Sequence, residues 1–362
     1  MQAQQLSSWT APLFAFCLSL LLSVTLAPTL GLVAYQQYDF WILWLITMLV
    51  LALPFTFLEI ALAKRAKNTP LQAFLQLTRD ADRSTNWRLI SWAAVLFVPF
   101  IAGAMLNFAA DQLQQSLALN FSSSLIMLVL AVVAFGVSML PRVILLLVTA
   151  VATIAFAAIS LTQAHTGTWG WTNIEFIEWA KVVTLTLVTG GLGLGLYWQN
   201  AIAQAKQKTT AVPVALPIWI GQAIGLAALI FVGEIETTVQ AGLLLLATLA
   251  LSGVLLQLVR EQALERQLNL VMQAVILLVP ILLWAIPMSA QVFYPLVILY
   301  GLLLCLAQSI FTGWLMKISH LRKSLNFSNE LMYNLWRVFV RIIAPLSIVV
   351  ALIGWASSLG GM

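Results

Sequence analysis

Apolar stretches of about 20 residues follow one another from near residue 10 to near residue 357, parted only by short polar breaks. A helix of that length crosses the roughly 30 Å hydrocarbon layer of a bilayer, because each residue adds about 1.5 Å. Lipid offers no partner to backbone polar groups, so a segment that crosses it as a helix satisfies them internally. The chain therefore reads as an all-α polytopic membrane protein. Only 8% of its 362 residues are charged, against about 25% in soluble domains. Eleven helices are expected, at 10–34, 39–63, 88–119, 122–140, 143–163, 179–205, 211–232, 237–260, 267–288, 291–316 and 330–357. No stretch between them is long enough for a soluble domain, so a single membrane domain over 1–362 is expected to carry any function. The leading MQAQQLSSW lacks the basic n-region of a signal peptide, so the first apolar run reads as a retained span.

Charge sets the expected orientation. With the N-terminus in the cytoplasm, sixteen of the seventeen basic residues fall inside and only Lys181 outside. The outer side instead collects Asp39, Glu175, Glu178, Glu234 and Glu236. Basic residues on short loops mark the cytoplasmic face, which places the C-terminus outside. The net charge of +5 thus reports topology rather than nucleic-acid binding. Cys17 and Cys305 lie within apolar runs with no paired spacing, and His165 and His320 stand far apart, so no disulfide framework or metal site is expected. Trp41, Trp44, Trp169, Trp171 and Trp179 fit an outer aromatic belt, Trp87 and Trp92 an inner one. No phosphate loop, haem-ligand pair or nucleophile triad is visible, and an enzyme is not expected. Compact loops are in keeping with a bacterial inner membrane protein.

One stretch breaks the pattern. TLVTGGLGLGLYWQ (186–199) packs Gly190, Gly191, Gly193 and Gly195 into six positions of a span. Glycine in a helix interior costs about 1 kcal/mol relative to alanine. Two readings follow from the residues. Gly191 and Gly195 make a small-xxx-small pair that brings two helices together. Alternatively the helix is broken there, and its backbone is freed to meet cargo.

Four fragments in order are similar to those of the neurotransmitter:sodium symporter family, whose best-known fold is that of the bacterial leucine transporter. They are LPFTFLEIALAKR (53–65), LFVPFIAGAMLNFAAD (96–111), WTNIEFIEWAKVV (171–183) leading into the glycine cluster, and VRIIAP (340–345). The resemblance implies an inverted repeat of five plus five helices, about 10–163 and 179–316, with one further helix at about 330–357. It also implies unwound joints in helices one and six, where half-helix ends and freed backbone hold solute and sodium. On that basis Thr189, Gly190, Gly191, Gly193 and Gly195 form the helix-six joint and its substrate contact. Leu106 stands at a substrate-binding position, and Thr189, Thr248 and Ser252 at sodium-ligand positions.

The chain departs from that family where ligands are expected. CLSLLLSVTLAP (17–28) has no glycine or asparagine to open helix one, and Leu26 replaces an outer-gate arginine. Leu106 replaces a tyrosine, Leu251 a hydroxyl residue, and Val212 an asparagine. Hydrocarbon cannot ligate a hard cation, which needs several oxygens. Two carboxylates remain within spans. Glu59 matches a glutamate that buttresses the helix-six joint or, alternatively, carries a proton; Asp111 reads as a wet residue of the outer half. The expected function is a secondary transporter for a small amino-acid-like or other organic solute, coupled to sodium or protons or to neither, with the lipid bilayer as its other partner. The alternative is a non-transporting membrane subunit that keeps the fold in order to dock a membrane-protein partner.

Overall fold

The computed structural model describes residues 8–118, 120–162, 168–232, 235–317 and 319–360. His165 and Glu234 lie outside them. The described chain is helical, with one isolated bridge between Gln37 and Gly170. The helices are α1 (Thr10–Leu26), α2 (Tyr38–Ala66), α3 (Pro70–Asp80), α4 (Thr85–Leu117), α5 (Ser123–Val137) and α6 (Arg142–Leu161). After them come α7 (176–189), α8 (Leu196–Gln207), α9 (Val212–Phe231), α10 (Thr238–Glu265) and α11 (Leu270–Ala285). The last are α12 (Ala290–Leu315), α13 (Ser319–Leu325) and α14 (330–360). Seven are long and apolar enough to cross a bilayer singly; α1, α5 and α11 are shorter apolar helices. With α7 and α8 read as one broken crossing, eleven traverses result among the described residues. The protein is a polytopic, multi-pass membrane protein.

Most boundaries fall within a few residues of expectation, but helix one does not. Hydropathy extends it over 10–34, whereas it ends at Leu26, after which the chain turns through 27–31. Pro28 withholds the N–H that would continue the ladder, and Gly31 at φ +58° bends the chain away. The helix is unbroken from Thr10 to Leu26, so the first joint of the family pattern does not form. Nearly every α1 residue is buried, on all sides. A helix apolar all round belongs in the centre of a bundle, and α1 packs there between α9, α4, α6 and α7.

The close helix pair is α1 with α9. A Cβ on Gly221 would come within 2.4 Å of the Pro12 carbonyl oxygen, and one on Gly225 within 2.6 Å of that of Phe16. This Gly-xxx-Gly pair lets backbones touch, the role that small residues play between helices in lipid. Two helices outside the expected spans, α3 and α13, lie at the end of the bundle that carries most basic residues, called the basic end below.

Trp41 and Trp44 are only 7% and 6% exposed, so they pack inside the protein rather than anchoring it to lipid. Trp171, 71% exposed, keeps its expected place. Near it, the Thr172 hydroxyl lies 2.8 Å from Asp39 Oδ2 and ties the chain before α7 to the start of α2.

Candidate functional site

Residues 185–189 close α7 as a π-turn, and the helix then stops. Gly191, Gly193 and Gly195 take φ values of +68°, +78° and +69°. Side-chain-bearing residues pay about 1–2 kcal/mol for that left-handed conformation, and glycine does not. Alternation explains the sequence: each glycine supplies a reversal, while Leu192 and Leu194 between them point into packed surroundings and are 2% and 3% exposed. Space is as restrictive as torsion. A Cβ on Gly193 would stand 2.8 Å from Cys305 Sγ, and one on Gly195 2.6 Å from Pro70 Cγ. The joint runs over 190–195; Thr189, expected within it, is the last residue of the π-turn.

The broken ladder leaves polar groups midway along the crossing, and several find partners within the protein. Glu59, fully buried on α2, accepts from Gly193 N at 2.9 Å and Gly195 N at 3.4 Å through Oε1. A carboxylate suits this position, since helix N-termini leave unsatisfied N–H groups and a partial positive charge. Tyr197 donates its hydroxyl to the Gly190 carbonyl, and Gln222 on α9 approaches the same oxygen at 3.4 Å. Thr56 Oγ1 lies 3.2 Å from Gln222 Oε1. Cys305 Sγ donates to the Leu192 carbonyl at 3.3 Å. Sequence reasoning singles out Glu59 but misses Tyr197, Gln222 and Cys305. A signal for Gln222 does exist, as an amide within an apolar span.

The sodium-ligand candidates are brought together only in part. Thr189 donates its hydroxyl to the Leu185 carbonyl and lies 3.2 Å from Ser23 Oγ on α1. Thr248 Oγ1 turns back to the Leu244 carbonyl of its own helix at 2.9 Å. Ser252 Oγ, one turn on, has no partner among the described residues. No hydrogen bond links either of them to Thr189 there. Leu106 is fully buried on α4. Its neighbour Asn107 donates toward Asp111 Oδ2 at 3.3 Å and lies 3.4 Å from the Tyr294 hydroxyl. Asp111 therefore belongs to a polar cluster between α4 and α12, separate from the Glu59 contacts.

A second buried network holds α8 to α10. Gln262 Nε2 donates to Gln199 Oε1 at 2.8 Å, Gln199 Nε2 to the Leu258 carbonyl at 2.6 Å, and Leu71 N to Gln262 Oε1 at 3.1 Å.

No family model matches the chain, and no curated protein does. Among solved structures, the crystal structure of MhsT in complex with L-phenylalanine superposes over 97% of this chain and 98% of that one, with a TM-score of 0.59 at 14% identity. The chain shares its fold with MhsT. The likeness supports a leucine-transporter-like architecture. At that identity it speaks to the fold alone.

Proposed function

We propose that the protein is a secondary transporter that moves a small amino-acid-like or other organic solute, with the joint at 190–195 as the element that bends and meets it. The observation that carries this reading is the helix broken midway along its crossing, because irregular backbone within a membrane is tolerated only where protein buries it or it lines a pathway. The neighbouring fold, seen with L-phenylalanine bound to MhsT, agrees with an amino-acid-like cargo. Substrate contact is assigned to Thr189, Gly190, Gly191, Gly193 and Gly195, with Leu106 contributing an apolar wall. Glu59 holds the joint, or carries the coupling proton.

Sodium coupling of the family's usual kind is not part of this proposal. Helix one contributes no unwound carbonyls, and Thr248 is committed to its own helix. Thr189, Thr248 and Ser252 are at most a remnant sodium site. The setting is a bacterial inner membrane, with the N-terminus and basic end facing the cytoplasm and the C-terminus outside. Uptake of labelled amino acids into proteoliposomes tests the reading, with sodium, proton or no gradient imposed. Accumulation that persists when sodium is replaced supports it, and absence of uptake under every gradient overturns it.

A second reading is favoured by one observation. The freed N–H groups of Gly193 and Gly195 and the carbonyls of Gly190 and Leu192 are already bonded within the protein. A scaffold so satisfied suits a non-transporting subunit that docks a membrane partner. Failed uptake together with a stoichiometric co-purifying protein would establish that alternative.

A further inference from the structure

Between the joint and the basic end, α3, α4, α8 and α12 line a small, partly open cavity of about 10 Å³. Its walls are Pro70, Phe74, Ser91, Ala94, Trp198 and Gln308, closed above by residues 193–195. Trp198 Nε1 and Gln308 Oε1 have no hydrogen-bond partner among the described residues. Their side chains are 0% and 2% exposed. Such groups are rare, since most buried polar atoms are paired and an unpaired one loses its solvation without return.

The chemistry of the walls narrows the occupant. An indole N–H only donates, and an amide oxygen only accepts. A guest between them must accept from one and donate to the other. Water does both, and the volume is that of about one water molecule. Ser91, whose hydroxyl donates to the Arg88 carbonyl at 2.9 Å, retains lone pairs for a third contact. One turn beyond Gln308 toward the basic end, Thr312 Oγ1 is likewise buried and without partner among the described residues. Thr312 lies in the π-turn that ends α12, nearer the basic end than Gln308, which lines the cavity.

On the other side of the joint an aromatic cluster lies between α4, α11 and α12. Phe100, Trp284, Phe293 and Tyr294 pack ring against ring there, and the Trp284 indole is paired with the Phe100 carbonyl at 3.0 Å.

We propose that the cavity under the glycine joint is a binding site for an ordered water, the innermost of a short file that enters from the basic end past Thr312 and Gln308. It gives the backbone of 193–195 a solvent contact from one side of the membrane only, on the side away from the aromatic cluster. When the joint shifts, its polar groups then have a partner other than Glu59.

Hydroxyl-radical footprinting of the purified full chain tests this, because radiolysis of bound water modifies the side chains touching it. Trp198, although buried, is expected to be modified, and exposed Trp171 serves as the internal reference. Ala94→Leu, which fills the cavity, is expected to lower Trp198 modification several-fold and leave Trp171 unchanged. Gln308→Leu, which removes the acceptor at similar volume, is expected to do the same, and it decides the matter if Ala94→Leu fails to fold. Trp198 left unmodified at doses that label Trp171, or modification undiminished in the folded variants, overturns the proposal. The readout requires no solute or gradient, so a dry cavity would leave the result of the uptake experiment untouched.

Discussion

Glu59 and Gly193, 134 residues apart in the chain, meet at 2.9 Å through a carboxylate oxygen and a backbone N–H. The contact explains how a bundle of hydrocarbon keeps an acidic side chain at full burial. The carboxyl is placed where a broken helix presents its own unsatisfied donors, and the bonds to Oε1 offset part of the cost of burying both partners.

Replacement of Glu59 tests that exchange. Glu59→Leu leaves two buried N–H groups without an acceptor, and each such loss costs about 1–3 kcal/mol. A clear fall in the thermal unfolding midpoint in detergent is expected. Glu59→Gln keeps one carbonyl acceptor and is expected to lose less than half as much. Equal losses would show that charge, not acceptance, matters there.

Gly193→Ala combines a left-handed torsion of +78° with a Cβ 3.2 Å from the Cys305 backbone nitrogen. A destabilisation of about 1–3 kcal/mol is expected from strain of this kind. The control is Gly136→Ala on α5, where an added Cβ meets nothing within 4 Å. It is expected to be neutral or stabilising. Parallel melting curves of the two variants check the contrast.

Gly221→Leu drives a side chain into the α1 backbone at Pro12. Loss of folded protein is expected, read as a collapsed monodisperse peak in size-exclusion chromatography. Gly242→Leu, where a Cβ has open space, is expected to purify normally.

The Gln199–Gln262 pair joins α8 to α10 next to the joint. A double-mutant cycle with Gln199→Leu and Gln262→Leu is expected to give a coupling of about 0.5–1.5 kcal/mol, the net worth of a hydrogen bond. Denaturant unfolding of the four proteins measures it. Additive losses would mean that the two amides act separately.

Much of the bundle is written locally. Bilayer thickness fixes the length of an apolar run, so eleven traverses can be read from residues 10 to 357 without any knowledge of their packing. The cluster at 190–195 is legible for a similar reason, since four glycines in six positions oppose a helix wherever they stand. What the residues leave open is whether these glycines pack or bend, because both uses need the same missing side chain. Tertiary structure separates the two. The bend is at Gly191, Gly193 and Gly195, and the close helix contact is at Gly221 and Gly225. It also selects Tyr197, Gln222 and Cys305 as partners for the joint. Those outcomes depend on groups distant in sequence arriving at one depth, and hydropathy carries no record of which buried donor will meet which acceptor.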